Sequence, residues 1–329
     1  IRWSDGSPIT AHDFEYAWKR VLDPAPPSAE GPAEYAYLFY MIEGAREYHL
    51  GMGSPDRVAV KALNDTTLEV KLSRPSPYFL SMTAFATFFP QPKDFVEEVG
   101  EQYGDDPSHL LYSGPFRISA WEEGRIELSK NPTYWDASRV KLEQVHFAIL
   151  SSPNEAVNQY EAGNLDVVGD LPGSYYELYR QDADLYQVDN LYVYYLSFNT
   201  LKEPFSAPSL GRAVSLALDR EAYVKEVLGN GSQAASGFVP SGTMGLSGDF
   251  RSENGSLLPV HGNPKQAKEA LEQGVRELGY SEVTDLPEIR LLVSDGELER
   301  KTAQFIRARR AGVSLARSRE RARQAARRL

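Results

Sequence analysis

Nineteen tyrosines and five histidines stand beside 46 Asp and Glu and 35 Lys and Arg in this chain of 329 residues, with no cysteine. The cysteine count removes thiolate nucleophiles, disulfides and Cys-ligated metals. His12, His49, His109, His146 and His261 include no i, i+4 pair and no HExxH setting, so no metal centre is nominated. Gly51-Met52-Gly53 is followed by Asp56 where a dinucleotide fingerprint needs glycine, and neither a phosphate-cradling G-x-x-x-x-G-K nor a G-x-S-x-G elbow occurs. The carboxylates are numerous enough for a glycosidase-type pair, but context singles none out, and an acidic solvated surface is the default. Tyrosine offers an apolar ring and a hydroxyl to polar ligands, although most tyrosines are expected to pack in the core or in sheets.

Elements must hold these side chains. Asp5-Gly6 and Pro8 are turn residues, Thr10 stands at an N-cap, and Asp13 three residues on approximates a capping box. Phe14, Ala17, Trp18, Val21 and Leu22 follow at helical spacing, which predicts a helix over 11–22 with one buried face. Further helices are expected over 35–48, 94–100, 154–162, 175–181 and 208–228. Asn263-Pro264 and Gly279 mark the start and stop of another. Strands are expected over 58–63 and 67–72, turned at Asn64-Asp65, and over 116–120, 125–130, 141–150, 165–168, 191–198 and 286–294. The aromatic, β-branched run 191–198 reads as a buried central strand. Asn64-Asp65-Thr66, Asn230-Gly231-Ser232 and Asn254-Gly255-Ser256 match glycosylation sequons but read better as turns. Residues 1–150 therefore read as α+β, and from about Ser151 helices alternate with strands as in an α/β lobe.

Composition is that of a globular protein, with 42% apolar and 25% charged residues. The longest uncharged run, within 75–92, carries four prolines and reads as a packed loop, not a membrane span. The net charge of −11 argues against a nucleic-acid partner for the body of the chain. Residues 307–329 break that pattern with nine Arg against one Glu. Out-of-frame translation of G+C-rich DNA is the expected origin of this tail; a basic arm for an anionic partner and a solvated Arg/Ala helix are the alternatives.

Four stretches in order carry a more specific message. They are Trp3-Ser4-Asp5-Gly6-Ser7-Pro8-Ile9-Thr10-Ala11-His12-Asp13-Phe14; Ser113-Gly114-Pro115-Phe116 with Asn131-Pro132-Thr133-Tyr134-Trp135; Tyr194-Tyr195-Leu196-Ser197-Phe198-Asn199 with Pro204-Phe205 and Arg212 to Arg220; and Ala267-Lys268-Glu269-Ala270-Leu271 through Leu278-Gly279-Tyr280. In wording and order, residues 1 to about 306 resemble the extracytoplasmic solute-binding proteins of peptide ABC transporters, family 5.

The resemblance implies a mixed α+β, periplasmic-binding-protein-like fold, two α/β lobes around a ligand cleft plus an extra second lobe, here truncated. It implies residues 1–150 as the second lobe, 151–240 as part of the first α/β lobe, and 241–306 as the start of the C-terminal lobe, with 307–329 as the foreign tail. It implies a binder and not an enzyme, with no cofactor, holding an extended peptide and delivering it to a membrane permease. Tyr35, Tyr194, Tyr195, Asn199 and Phe238 are the ligand contacts it suggests; for each the structural alternative is ordinary packing or turn formation. Trp3, Asp5, Gly6, Pro8, Asp13, Asn131, Trp135, Arg212, Asp219 and Arg220 are expected as scaffold, the last two closing a helix end. A monomer outside the cytoplasm is expected, in a periplasm or as a surface lipoprotein, touching the membrane only through the permease or a lost anchor. Terminus-fixing residues of better-known relatives fall in the absent lobe, so weak or no binding by this chain alone is expected, with apolar faces left bare. The alternatives are another solute (a dipeptide, a nickel complex, or an oligosaccharide stacked on Trp121 or Trp135) and a hydrolase using the same cleft.

Overall fold

Thr10 begins the first helix as its residue type requires: its N–H donates to the Asp13 carboxylate (2.8 Å), satisfying a donor that the helix start leaves without an intrahelical partner. The computed structural model describes residues 1–25, 33–169 and 171–309, and the expectations for 310–329 lie outside them. The chain divides into two units, Ile1–Ser151 and Ser152–Leu329.

The first unit runs α1 (Ala11–Val21), α2 (Ala45–His49), β1 (Val60–Asn64), β2 (Thr67–Val70), α3 (Phe79–Met82), α4 (Lys93–Val99), β3 (Phe116–Glu122), β4 (Arg125–Lys130) and β5 (Gln144–Ala148). β1 and β2 form an antiparallel hairpin in which Val60 faces Val70, and β3-β4-β5 form a separate antiparallel sheet. The core gathers Trp18 of α1, Leu22 just after it, Phe39, Ile42, Val58, Val60 and Phe88. The Trp18 indole meets Phe88 edge-on (centroids 5.3 Å, 89°), while its Nε1–H donates to the Phe88 carbonyl (2.8 Å), so a large apolar ring is buried without orphaning its one donor. Phe39 stacks on Phe88 at 4.1 Å.

Two motifs of the sequence meet in this unit. Asn131 is fully buried. Its Nδ2 donates to the Gly114 carbonyl (2.9 Å), its Oδ1 accepts from Thr133 N (3.2 Å) and Thr133 Oγ1 (2.7 Å), and its own N–H donates to Pro115 O (2.8 Å). A buried amide must find partners, and this one finds them in the Ser-Gly-Pro-Phe turn and in Thr133.

The second unit runs α5 (Pro153–Glu161), α6 (Gly173–Tyr179), α7 (Pro208–Ala217), α8 (Arg220–Tyr223), α9 (Phe250–Asn254), α10 (Pro264–Glu277) and α11 (Glu297–Arg309). Its core is the α7–α10 pair, with Leu210, Ala213 and Leu216 against Ala267, Ala270, Leu271 and Val275, and Leu286 beside them. Gly274 permits the approach: a Cβ there would stand 2.5 Å from Leu210 Cγ. Asn263 caps α10 by accepting from Gln266 N (3.1 Å), with Pro264 at the first turn. α11 packs through Phe305 on the Tyr223 ring (5.5 Å), and Tyr223 OH meets Thr302 Oγ1 at 2.9 Å.

Several expected elements differ. The helix over 35–48 is a 3₁₀ turn at Ala36–Phe39 and the separate α2, because Gly44 at φ +79° breaks the helical path between them. The helix over 208–228 ends at Ala217; α8 and a π-type turn at Val224–Leu228 follow. Asp219 and Arg220 therefore do not act together at one end. Asp219 opens α8, accepting from Ala222 N (2.8 Å), while Arg220 closes α7, its Nη1 donating to the Ser215 (3.0 Å) and Leu218 (3.3 Å) carbonyls and to Pro259 O (3.2 Å). The runs expected as strands over 165–168, 191–198 and 286–294 form no ladder among the described residues. Far from a buried central strand, Leu191, Tyr192, Tyr194 and Tyr195 are exposed. β-rich composition favours a strand only where a second strand supplies hydrogen-bond partners, and no strand is formed among the described residues of this unit.

Candidate ligand-contact residues

Tyr35 caps the 3₁₀ turn of the first unit, its carbonyl accepting from Leu38 N (3.1 Å). The turn directs Phe39 into the core and leaves Tyr35 42% exposed. The Tyr35 ring meets Phe85 edge-on (5.2 Å, 72°) and lies 6.5 Å from Tyr37. Phe85 and Tyr37 are exposed as well, so Tyr35 belongs to a surface group of three rings. Phe85 has no place in the motifs above; the aromatic-rich run 85–89 was the one signal that could have found it.

The other four candidates belong to the second unit. Tyr194 and Tyr195 are 73% and 65% exposed, and Phe238 is 63% exposed. Tyr195 and Phe238 come together, their rings 5.1 Å apart at 63°; Tyr194, the next residue of the extended run, makes no such ring contact among the described residues. The turn after Phe238 is held from below: Arg251 Nε and Nη2 donate to Val239 O (3.2 and 3.0 Å), and Nη1 donates to Gly255 O (2.6 Å). Asp249 accepts from Ser252 N (2.8 Å) and Gly242 N (2.7 Å), which fixes the start of α9 and keeps the Asp249 carboxyl below its usual range. Tyr176 of α6 donates to Gln187 Oε1 (3.0 Å) and ties the helix to the start of the extended run. On the same helix, Tyr179 donates to Glu161, which pushes its phenol up to about 12.

Asn199 is exposed but half engaged. Its Oδ1 accepts from Leu201 N (3.2 Å) and its carbonyl accepts from Lys202 N (3.2 Å), a local side-chain turn. The Nδ2 donor makes no hydrogen bond among the described residues, so of the paired donor and acceptor an amide can offer, the donor is the half still open. Trp121 and Trp135, the candidates for sugar stacking, are exposed on the first unit. Among the described residues no group of three His, Asp or Glu is placed to hold a metal ion, and no helix is long and apolar enough to cross a membrane.

The chain is similar to oligopeptide- and dipeptide-binding proteins. It is 35% identical to the oligopeptide-binding protein OppA of Bacillus subtilis over 311 residues, 93% of this chain and 55% of that protein. It is 35% identical to the dipeptide-binding protein DppE of Bacillus subtilis over 93% of this chain and 54% of that protein. Among solved structures, Listeria monocytogenes OppA bound to peptide superposes with a TM-score of 0.78 at 32% identity, covering 94% of this chain and 60% of that one. The chain thus spans about half the length of the curated relatives it matches, and its mixed helix-and-strand fold is part of the two-lobe fold of those proteins. The family model for the bacterial extracellular solute-binding proteins, family 5, matches residues 1–313, and the chain belongs to that family.

Proposed function

We propose that this chain is the substrate-binding component, in whole or in part, of a peptide ABC transporter, acting outside the cytoplasm by non-covalent capture and delivery to a permease. The observation that carries the reading is the similarity along nearly the whole chain to peptide-binding proteins, one solved with peptide bound. Binding of this kind needs no nucleophile, metal or nucleotide; it needs main-chain hydrogen-bond partners and adaptable side-chain surroundings. Tyr35, Tyr194, Tyr195, Asn199 and Phe238 are the proposed contacts. Their exposure supports the assignment, because a ring buried in a core has no face left for a ligand. The working unit is a monomer, and no bond of the peptide is cut.

Isothermal titration with the nonapeptide RPPGFSPFR, found in complex with the Haemophilus influenzae relative, tests this reading. Weak, saturable binding is expected, with the peptide recovered intact and the affinity reduced by Tyr195→Ala. Recovery of cleaved peptide, or saturable binding that Tyr195→Ala leaves unchanged, overturns it. A second reading, an oligosaccharide held on aromatic faces, draws on the exposed indoles of Trp121 and Trp135; titration with maltotriose under the same conditions decides between the two.

A further inference from the structure

An open groove of about 570 Å³ lies on the first unit, and none of the proposed peptide contacts lines it. Two elements build it. The 3₁₀ turn presents Tyr37, and Tyr40, the residue that ends the turn, lies three positions on, a spacing that brings side chains to one side of such a helix. α3 contributes Met82, and Tyr78 just before it lines the same wall four residues earlier. Met41 completes the apolar lining. The polar component is Arg74. The chain next to it is pinned, since Ser73 N and Oγ both donate to Met41 O (2.8 and 3.1 Å).

Arg74 has no hydrogen bond or ion pair among the described residues. Three residues away, Lys71 is taken by Glu43 at 2.8 Å. Among the described residues, then, an unpaired guanidinium lines an aromatic and thioether groove. Guanidinium binds carboxylate with two parallel hydrogen bonds. Tyrosine rings and methionine accept flat or alicyclic apolar bodies. The volume falls in the range of small-molecule sites.

We propose that this groove is a separate binding site for an amphipathic monocarboxylate, with the acid on Arg74 and the apolar body against Tyr37, Tyr78 and Met82. The proposal stands apart from the peptide reading, since it shares no contact residue with it. 4-Phenylbutyrate is the probe, followed by saturation-transfer NMR and isothermal titration on the full chain, with 4-phenylbutan-1-ol as the neutral analogue. Saturable binding of the acid is expected. The alcohol should bind about tenfold more weakly, as should the acid to Arg74→Gln, because each removes one charge-assisted contact. Arg74 is exposed, so its replacement leaves the fold intact, as the unchanged thermal transition of the variant checks. Equal binding of acid and alcohol, unchanged affinity in Arg74→Gln, or no saturable binding overturns the proposal. Displacement by RPPGFSPFR would place the acid among the peptide contacts and overturn it too, while leaving the peptide reading intact.

Discussion

Asn131 shows what a single side chain contributes when it is fully enclosed. Its amide makes three hydrogen bonds: one donated to the Gly114 carbonyl, which links the Asn-Pro-Thr-Tyr-Trp turn to that residue, and two accepted from Thr133, which close the turn itself. Asn131→Ala leaves the Gly114 carbonyl and Thr133 hydroxyl without these partners, and a cost of about 2–3 kcal/mol is expected; urea denaturation of the variant checks this, and a change within error would refute it. The family resemblance marks Asn131 as scaffold, but not what it holds, because Gly114 lies seventeen residues away. Asp219 and Arg220 teach the converse. Their residue types mark a helix boundary correctly, yet which of two helices each one serves depends on the break at Leu218, which no side chain announces.

At the level of elements, Glu15 couples α1 to the hairpin, accepting from Lys19 Nζ (2.6 Å) within the helix and from Ala62 N (2.8 Å) of β1. Burial alone would raise its carboxyl, but those two hydrogen bonds and the Lys19 charge outweigh it, and the net shift is downward from 4.5. A lowered folded value means that the ionised form favours folding: the contribution is present above the unfolded value and is lost as pH falls through the folded one. Glu15→Gln should therefore destabilise the first unit by about 1 kcal/mol at neutral pH and flatten the stability change below pH 4.5. Chemical denaturation at neutral and acid pH measures both, and a variant with the parent's acid sensitivity would contradict the assignment. Elements with local signals were legible: α1 from its cap and periodicity, α10 from Asn263-Pro264 and Gly279, and β4 from its turn-bounded alternation. Those that depend on distant pairing were not. Residues 191–198 have strand composition, but their pairing is a property of a second segment, not of their own.

For the whole molecule, membership of a family was legible because four motifs keep their order along the chain. The contact residues were legible only through that resemblance, and Phe85 beside Tyr35 was missed because packing, not spacing, brings it there. The same scale carries a liability. Tyr186, Val188, Tyr192 and Leu292 are each more than three-quarters exposed, which leaves large apolar side chains open to solvent and to apolar ligands. The native chain is expected to enhance anilinonaphthalene sulfonate emission without denaturant; a flat response would mean that these segments are covered in solution. One more consequence comes from Trp18. All four tryptophans of the chain, Trp3, Trp18, Trp121 and Trp135, fall within the first unit. Indole fluorescence is therefore a private channel for that unit: the buried Trp18 reports the loss of its core, while the second unit melts unseen unless its tyrosines are excited or its amides followed.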